Sequence, residues 1–288
     1  MMSSGGRKIL QILLLVLLAA YSVVAVRYCS DREAAVRCSG VEIEVADSAV
    51  QRFVTPEIVL RWLADSGVRT VGVPLREVDV YAVERLVEQQ DYVLQADAYT
   101  AIDGLLHITL TQRRPVVRVV SEAGHNFYLD STLVLLPPQA DCLASVPVVS
   151  GRLPLGFPTD FFGRLDEKKF PRERELLHNL LNFVHQVDTD RFLDALTAQI
   201  YYEAGEITLL PRVGGQIVRF GAIVDSAAVG RRLRKLSRFY RASFAEGWWR
   251  TATEVDLRFR GQVVCKGMPA DLSTPAGQQR AADEEAKQ

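Results

Sequence analysis

Along this 288-residue chain the apolar residues recur with two periods, and the changes from one to the other mark its elements. From Val41 the run VEIEVA alternates residue by residue, as a half-buried strand does. In TPEIVLRWLADSG, Thr55 stands where a helix is capped and Pro56 takes its first position. Ile58, Val59, Trp62 and Leu63 then form an apolar stripe, and Gly67 closes the helix. The stripe places Trp62 at the centre of a core. A second helix is predicted from about Asp79 through VYAVERLVEQQ, with Val80, Val83, Leu86 and Val87 on one face. YVLQADAY, the turn IDGL and LLHITLTQRR read as a hairpin around Asp103-Gly104, with Leu106, Ile108 and Leu110 facing away from His107, Thr109 and Thr111. Neither helix can bury its stripe alone, so the order strand, helix, helix, strand, strand predicts two helices on a three-stranded sheet.

After Arg114-Pro115 short strands predominate: PVVRVVSE, NFYLD, TLVLLP and PVVSG, then AQIYYEAG, EITLLP and GQIVRFG, each ended by turn residues. Two amphipathic helices interrupt them. RERELLHNLLNFVHQ lines up Leu176, Leu177, Leu180, Leu181 and Val184, and the helix containing RRLRKLSRFYR lines up Val229, Leu233, Leu236 and Tyr240. The basic residues of that second helix read as the polar back of a core-facing stripe, the alternative being a membrane-surface or acidic-partner patch. EVDLRFRGQVVCKG comes last and alternates, with Val255, Leu257 and Phe259 on one face and Glu254, Asp256 and Arg258 on the other. This second domain is a strand-rich α+β unit. The tail from Met268 to Gln288 has no apolar period and is expected to be disordered.

Near the start, an uncharged run from Ile9 to Val26 follows Arg7 and Lys8 and precedes Arg27. At about 1.5 Å per residue it covers most of a hydrocarbon core roughly 30 Å thick. Arg27 and Tyr28 stand where a signal-peptide cleavage site would want small residues, and they also precede Cys29, against a lipoprotein reading. The run therefore predicts an uncleaved signal anchor, with Arg7 and Lys8 on the cytoplasmic side and the bulk exported.

Composition narrows the function classes. With 34 basic against 35 acidic residues there is no overall basic field of the kind that holds a nucleic-acid backbone. Cys29, Cys38, Cys142 and Cys265 lack metal or redox spacing; bridged and unpaired states both fit them. His107, His125, His178 and His185 form no catalytic set, and the last two lie about 10 Å apart along a helix. A nucleophile elbow, a P-loop and a dinucleotide fingerprint are all missing from the sequence. The expectation is a non-enzymatic protein without cofactor or metal.

A short tail, one span, a strand-helix-helix-strand-strand unit and a strand-rich second unit together resemble the bacterial cell-division family FtsQ/DivIB. LLHITLTQRRPVVRV is similar to that family's strand with a Glu-Arg-x-Pro-like ending, here Arg113, Arg114 and Pro115 with Gln112 in place of the acid. NFYLD resembles its entry to the β domain, with Ser131 and Thr132 in the expected glycine region, and VPVVSGRLP retains Gly151. VDLRFRGQVV resembles its terminal run, one residue shorter at Arg260-Gly261, and Lys266 stands about where an aromatic can follow.

The resemblance implies an α+β architecture: a single N-terminal transmembrane helix, a POTRA-like βααββ domain, then a strand-rich β domain. Its parts would be a cytoplasmic tail at 1–8, the anchor at 9–26, a linker at 27–40, the POTRA-like domain at 41–117, the β domain at 118–267 and the tail at 268–288. It further implies a scaffold in the cell inner membrane, its periplasmic domains gathering FtsB- and FtsL-like coiled-coil proteins and through them the septal peptidoglycan synthesis machinery. The rival classes are a POTRA-bearing component of outer-membrane assembly or secretion, which would normally show repeated POTRA units or a barrel, and an anchored hydrolase, which needs a nucleophile and base that the sequence does not offer.

The last alternating run is the expected docking site. Arg258, Phe259, Arg260, Gly261, Gln262, Val263, Val264 and Cys265 would pair with a partner strand, the arginines flanking an aromatic anchor. The alternative is a strand paired within its own sheet alone, with arginines that discourage aggregation.

Overall fold

The computed structural model describes residues 14–24, 36–47, 52–140, 142–246 and 252–267. The chain divides into two compact units between Arg113 and Arg114. A helix, α1, is described over residues 14–24. Among the described residues no helix is long and apolar enough to cross a membrane. The predicted span runs past residues 14–24 at both ends, and those ends, the cytoplasmic tail and the tail from Met268 lie outside the described residues.

The first unit holds β1 (Gly40–Val45), α2 (Pro56–Ser66), α3 (Val80–Glu88), β2 (Val93–Thr100) and β3 (Leu105–Gln112), with a 3-10 turn at Leu75–Glu77. Its sheet order is β1-β3-β2, with β1 parallel and β2 antiparallel to β3. The predicted hairpin alternation holds, since Leu106, Ile108 and Leu110 are buried and His107, Thr109 and Thr111 are not. Val59 and Leu63 of α2 and Val83 and Val87 of α3 close the core against these strands. Asp79 caps α3 by accepting from the Ala82 N–H at 2.9 Å.

Two details differ from expectation. Thr55 occupies the cap position of α2 but makes no side-chain capping bond; its carbonyl accepts from Ile58 and Val59 instead. Trp62 is half-buried, as is Ile58, because the buried line on α2 is the i, i+4 pair Val59–Leu63 and its flanking residues reach only the rim. Gln112 is buried at the end of β3, its amide oxygen accepting from Val54 N–H at 2.8 Å and its amide nitrogen donating to Asp47 at 3.2 Å. Only a side chain that both accepts and donates can make both bonds, which gives Gln rather than an acid a reason to stand there.

The second unit is a ten-stranded mixed sheet with helices α4 (Pro171–Thr189), α5 (Arg191–Leu196) and α6 (Ser226–Glu246). Its strands are β4 (Pro115–Ser121), β5 (Asn126–Asp130), β6 (Val134–Leu136), β7 (Val148–Gly151), β8 (Gly163–Arg164), β9 (Thr197–Glu203), β10 (Glu206–Pro211), β11 (Ile217–Ala222), β12 (Glu254–Asp256) and β13 (Val264–Lys266). They lie in the order β13-β12-β11-β10-β9-β7-β4-β5-β6-β8. The core joins alternate residues of the strands (Val117, Val119, Ile200, Leu209, Val218, Val255) to Leu177, Leu180 and Val184 of α4 and Val229, Leu233, Leu236 and Tyr240 of α6. Both predicted helical stripes are thus core faces, although Leu176 is only half-buried.

Sequence periodicity did not show β8 or α5, which are too short to display a period; α5 starts where Asp190 accepts from the Phe192 N–H at 3.0 Å. Gly151 ends β7, which runs parallel between β4 and β9. It sits at φ 109°, and a Cβ there would press on the carbonyl oxygen of Tyr202.

Candidate docking site at the sheet edge

The last alternating run is not one strand. β12 and β13 form an antiparallel pair, Val255 opposite Cys265 and Asp256 opposite Val264, and residues 257–263 between them are a loop. β12 is interior, paired parallel to β11, while β13 is the outermost strand. The predicted facing survives only as far as Leu257. Val255 and Leu257 are fully buried, but Phe259 is 48% exposed and Asp256, expected outside, is 5% exposed.

The local chemistry explains the break. The Asp256 carboxylate accepts from the Arg258 N–H at 3.0 Å and from the Arg258 guanidinium at 2.7 Å, which turns the chain out of the strand.

A lysine on the neighbouring helix holds the turned chain. Lys235 of α6 donates from Nζ to the carbonyls of Leu257 at 2.9 Å, Phe259 at 2.8 Å and Gln262 at 2.8 Å. Burial, with Arg232 beside it, lowers the Lys235 pKa. The loop and α6 together enclose a groove of 980 Å³, lined by Arg231, Arg232, Arg238 and Phe239 on one side and Phe259, Arg260 and Val263 on the other.

The charges on these last strands and on the groove side are balanced differently. On the strands, Arg219 and Lys266 each lie 2.9 Å from Glu254, and Arg258 lies 2.7 Å from Asp256 and 3.2 Å from Glu206. Arg258 holds the Asp256 carboxyl below the usual carboxylate range, and Lys266 with Arg219 does the same to Glu254. In the groove, Arg232 donates to the Ala222 carbonyl and Arg231 lies 3.7 Å from Asp225. Arg238 and Arg260 are exposed and have no ion-pair partner among the described residues. The groove therefore carries uncompensated positive charge over an apolar floor.

Of the predicted docking residues, Arg258, Phe259, Arg260, Gly261 and Val263 line the groove, while Gln262 contributes its carbonyl to Lys235. Val264 and Cys265 lie on β13; burial raises the Cys265 thiol pKa. Arg258 is brought to the site but is engaged within the chain. The sequence reading missed Arg231, Lys235, Arg238 and Phe239. The signal is RRLRKLSRFYR, whose stripe lies in the core as expected and whose basic back, the alternative acidic-partner patch, forms a wall of the groove.

No group of three or more His, Cys, Asp or Glu side chains among the described residues could hold a metal ion. His178 and His185 are exposed, His107 lies between Glu42 and Asp103, and His125 is buried with a ring nitrogen 2.9 Å from the Phe157 carbonyl. Cys38, Cys142 and Cys265 are free thiols, and Cys29 lies outside the described residues.

Comparison with known families places these features. Residues 36–111 match the POTRA-like domain, the extent of the βααββ unit. Residues 114–266, more than half of the chain, match the family described as FtsQ/DivIB, C-terminal related, from the head of β4 to the end of β13. The chain belongs to that family. FtsQ/DivIB proteins are non-enzymatic proteins of cell division, so the role of this chain lies in division. The groove and edge fall at the C-terminal end of the matched segment. No curated protein matches the chain.

Proposed function

We propose that the protein is a membrane-anchored scaffold of the division machinery that captures an acidic partner at β13 and the adjoining groove, linking early and late division proteins during septum formation. The observation that carries this reading is the pairing of an open strand edge with uncompensated cations, inside the segment that matches FtsQ/DivIB. β13 has 3 residues, so β-augmentation there offers few outward main-chain groups. At roughly 0.5–1.5 kcal/mol net per hydrogen bond, these fall far short of the ~8 kcal/mol of a micromolar complex. Most of the affinity must come from the groove, with Phe259 as apolar anchor and Arg238 and Arg260 meeting carboxylates.

Partners of the matching chemistry are FtsB- and FtsL-like coiled-coil proteins, through which septal peptidoglycan synthesis would be reached. Anchoring in the inner membrane, with the bulk in the periplasm, is supported by α1, whose Leu14, Leu15, Val16, Leu17 and Leu18 are each at least 61% exposed.

The test is depletion in growing cells, followed by complementation. Wild type should restore septation and septal placement of the coiled-coil proteins, whereas a double Arg238→Glu, Arg260→Glu variant should localise but fail to gather them. Normal division without the protein, or recovery of outer-membrane assembly proteins in place of division proteins, would refute the reading.

A further inference from the structure

We infer that Lys235 is a positioning residue: it shapes the docking loop between β12 and β13 by clamping three of its carbonyls and is not itself a contact for the partner. The inference rests on the docking reading above. The loop is anchored by packing at its ends, where Leu257 is fully buried and Val263 packs on the core. Between them Arg258, Phe259, Arg260, Gly261 and Gln262 are all exposed, so packing does not fix their course.

Lys235 reaches this stretch from α6, and its three ammonium protons match the three carbonyls of Leu257, Phe259 and Gln262, all at 2.8–2.9 Å. The clamp brackets Phe259 and Arg260, the aromatic anchor and the exposed cation of the loop. Its donors being filled, Lys235 has none left for a carboxylate from outside. Holding Phe259 and Arg260 in place before a partner arrives removes an ordering cost from binding. Arginine would not substitute, because a planar fork cannot meet three carbonyls converging on one point.

The experiment uses the full chain in detergent micelles, with wild type, Lys235→Met, Lys235→Arg and Arg238→Gln. Amide exchange is read across 257–263, and binding is read with a synthetic amphipathic peptide carrying glutamates along one face. In Lys235→Met the loop amides should exchange faster while those of β9 and β10 do not. The peptide dissociation constant should rise roughly tenfold, as expected when a preorganised loop must be ordered on binding. Its salt dependence should change less than that of Arg238→Gln, which loses an exposed cation and flattens the dependence with the loop still protected. Lys235→Arg should behave like Lys235→Met.

Unchanged loop exchange in Lys235→Met would overturn the inference. So would full binding by Lys235→Arg, which would make the charge the operative feature. Failure of the docking reading would look different: wild type would bind no peptide, yet the loop would still loosen in Lys235→Met, upholding the clamp.

Discussion

Single residues separate what belongs to the fold from what is left for a partner. Arg258 and Arg260 flank the same aromatic in sequence, but Arg258 is locked to Asp256 and Glu206 while Arg260 is exposed and unpaired among the described residues. Arg260→Glu should therefore weaken capture of an acidic peptide about tenfold with an unchanged melting temperature. Arg258→Glu should instead lower stability by crowding three carboxylates; titration calorimetry beside thermal melts distinguishes the two.

Asp256 yields a pH prediction of definite sign. Its pKa is lowered in the folded state by Arg258, so the stabilisation is present above the unfolded value of about 3.9 and is lost as pH falls through the folded value. The stability gap between wild type and Asp256→Asn should accordingly be widest near neutrality and close in acid. A gap that stays constant with pH, in denaturant titrations, would show that the pair contributes nothing. At Gly151, a left-handed φ and the neighbouring Tyr202 carbonyl leave no room for a Cβ. Gly151→Ala should cost roughly 2–5 kcal/mol, visible as a shifted denaturation midpoint.

Secondary-structure elements were legible in proportion to their length and the regularity of their period. α2, α3, α4 and α6 and the β2–β3 hairpin could be read from apolar spacing because each buries one face. α5 and β8 are too short to carry a period. The β12–β13 run misled because its alternation continues through Phe259 in sequence, while the turn is made by a side chain, Asp256, and held by a lysine from a distant helix. No period can report either. Trp62 erred in a related way: the stripe on α2 is wide, and only its centre is covered. Leu63→Ala should therefore cost ~2–5 kcal/mol in the first unit, and Trp62→Ala clearly less. Equal losses in thermal melts of the two variants would show that the wider stripe is the true core.

The whole molecule follows from this division of labour. Its two folded units and its family could be anticipated from the order of elements and from motifs such as Gln112-Arg113-Arg114-Pro115 and VPVVSGRLP, since those sit at strand ends where the backbone constrains the residue. The groove could not, because it joins residues 228–239 to residues 257–263 across a helix and a loop, and single-sequence spacing does not report such pairs. The most direct test is photo-crosslinking in dividing cells with the crosslinker placed in turn at Phe259, at Arg260 and, as a control away from the groove, at Tyr201. Phe259 and Arg260 should yield adducts with small single-span coiled-coil division proteins, and Tyr201 should not. Adducts at Tyr201 alone, or adducts at Phe259 with outer-membrane assembly proteins, would contradict docking at this edge.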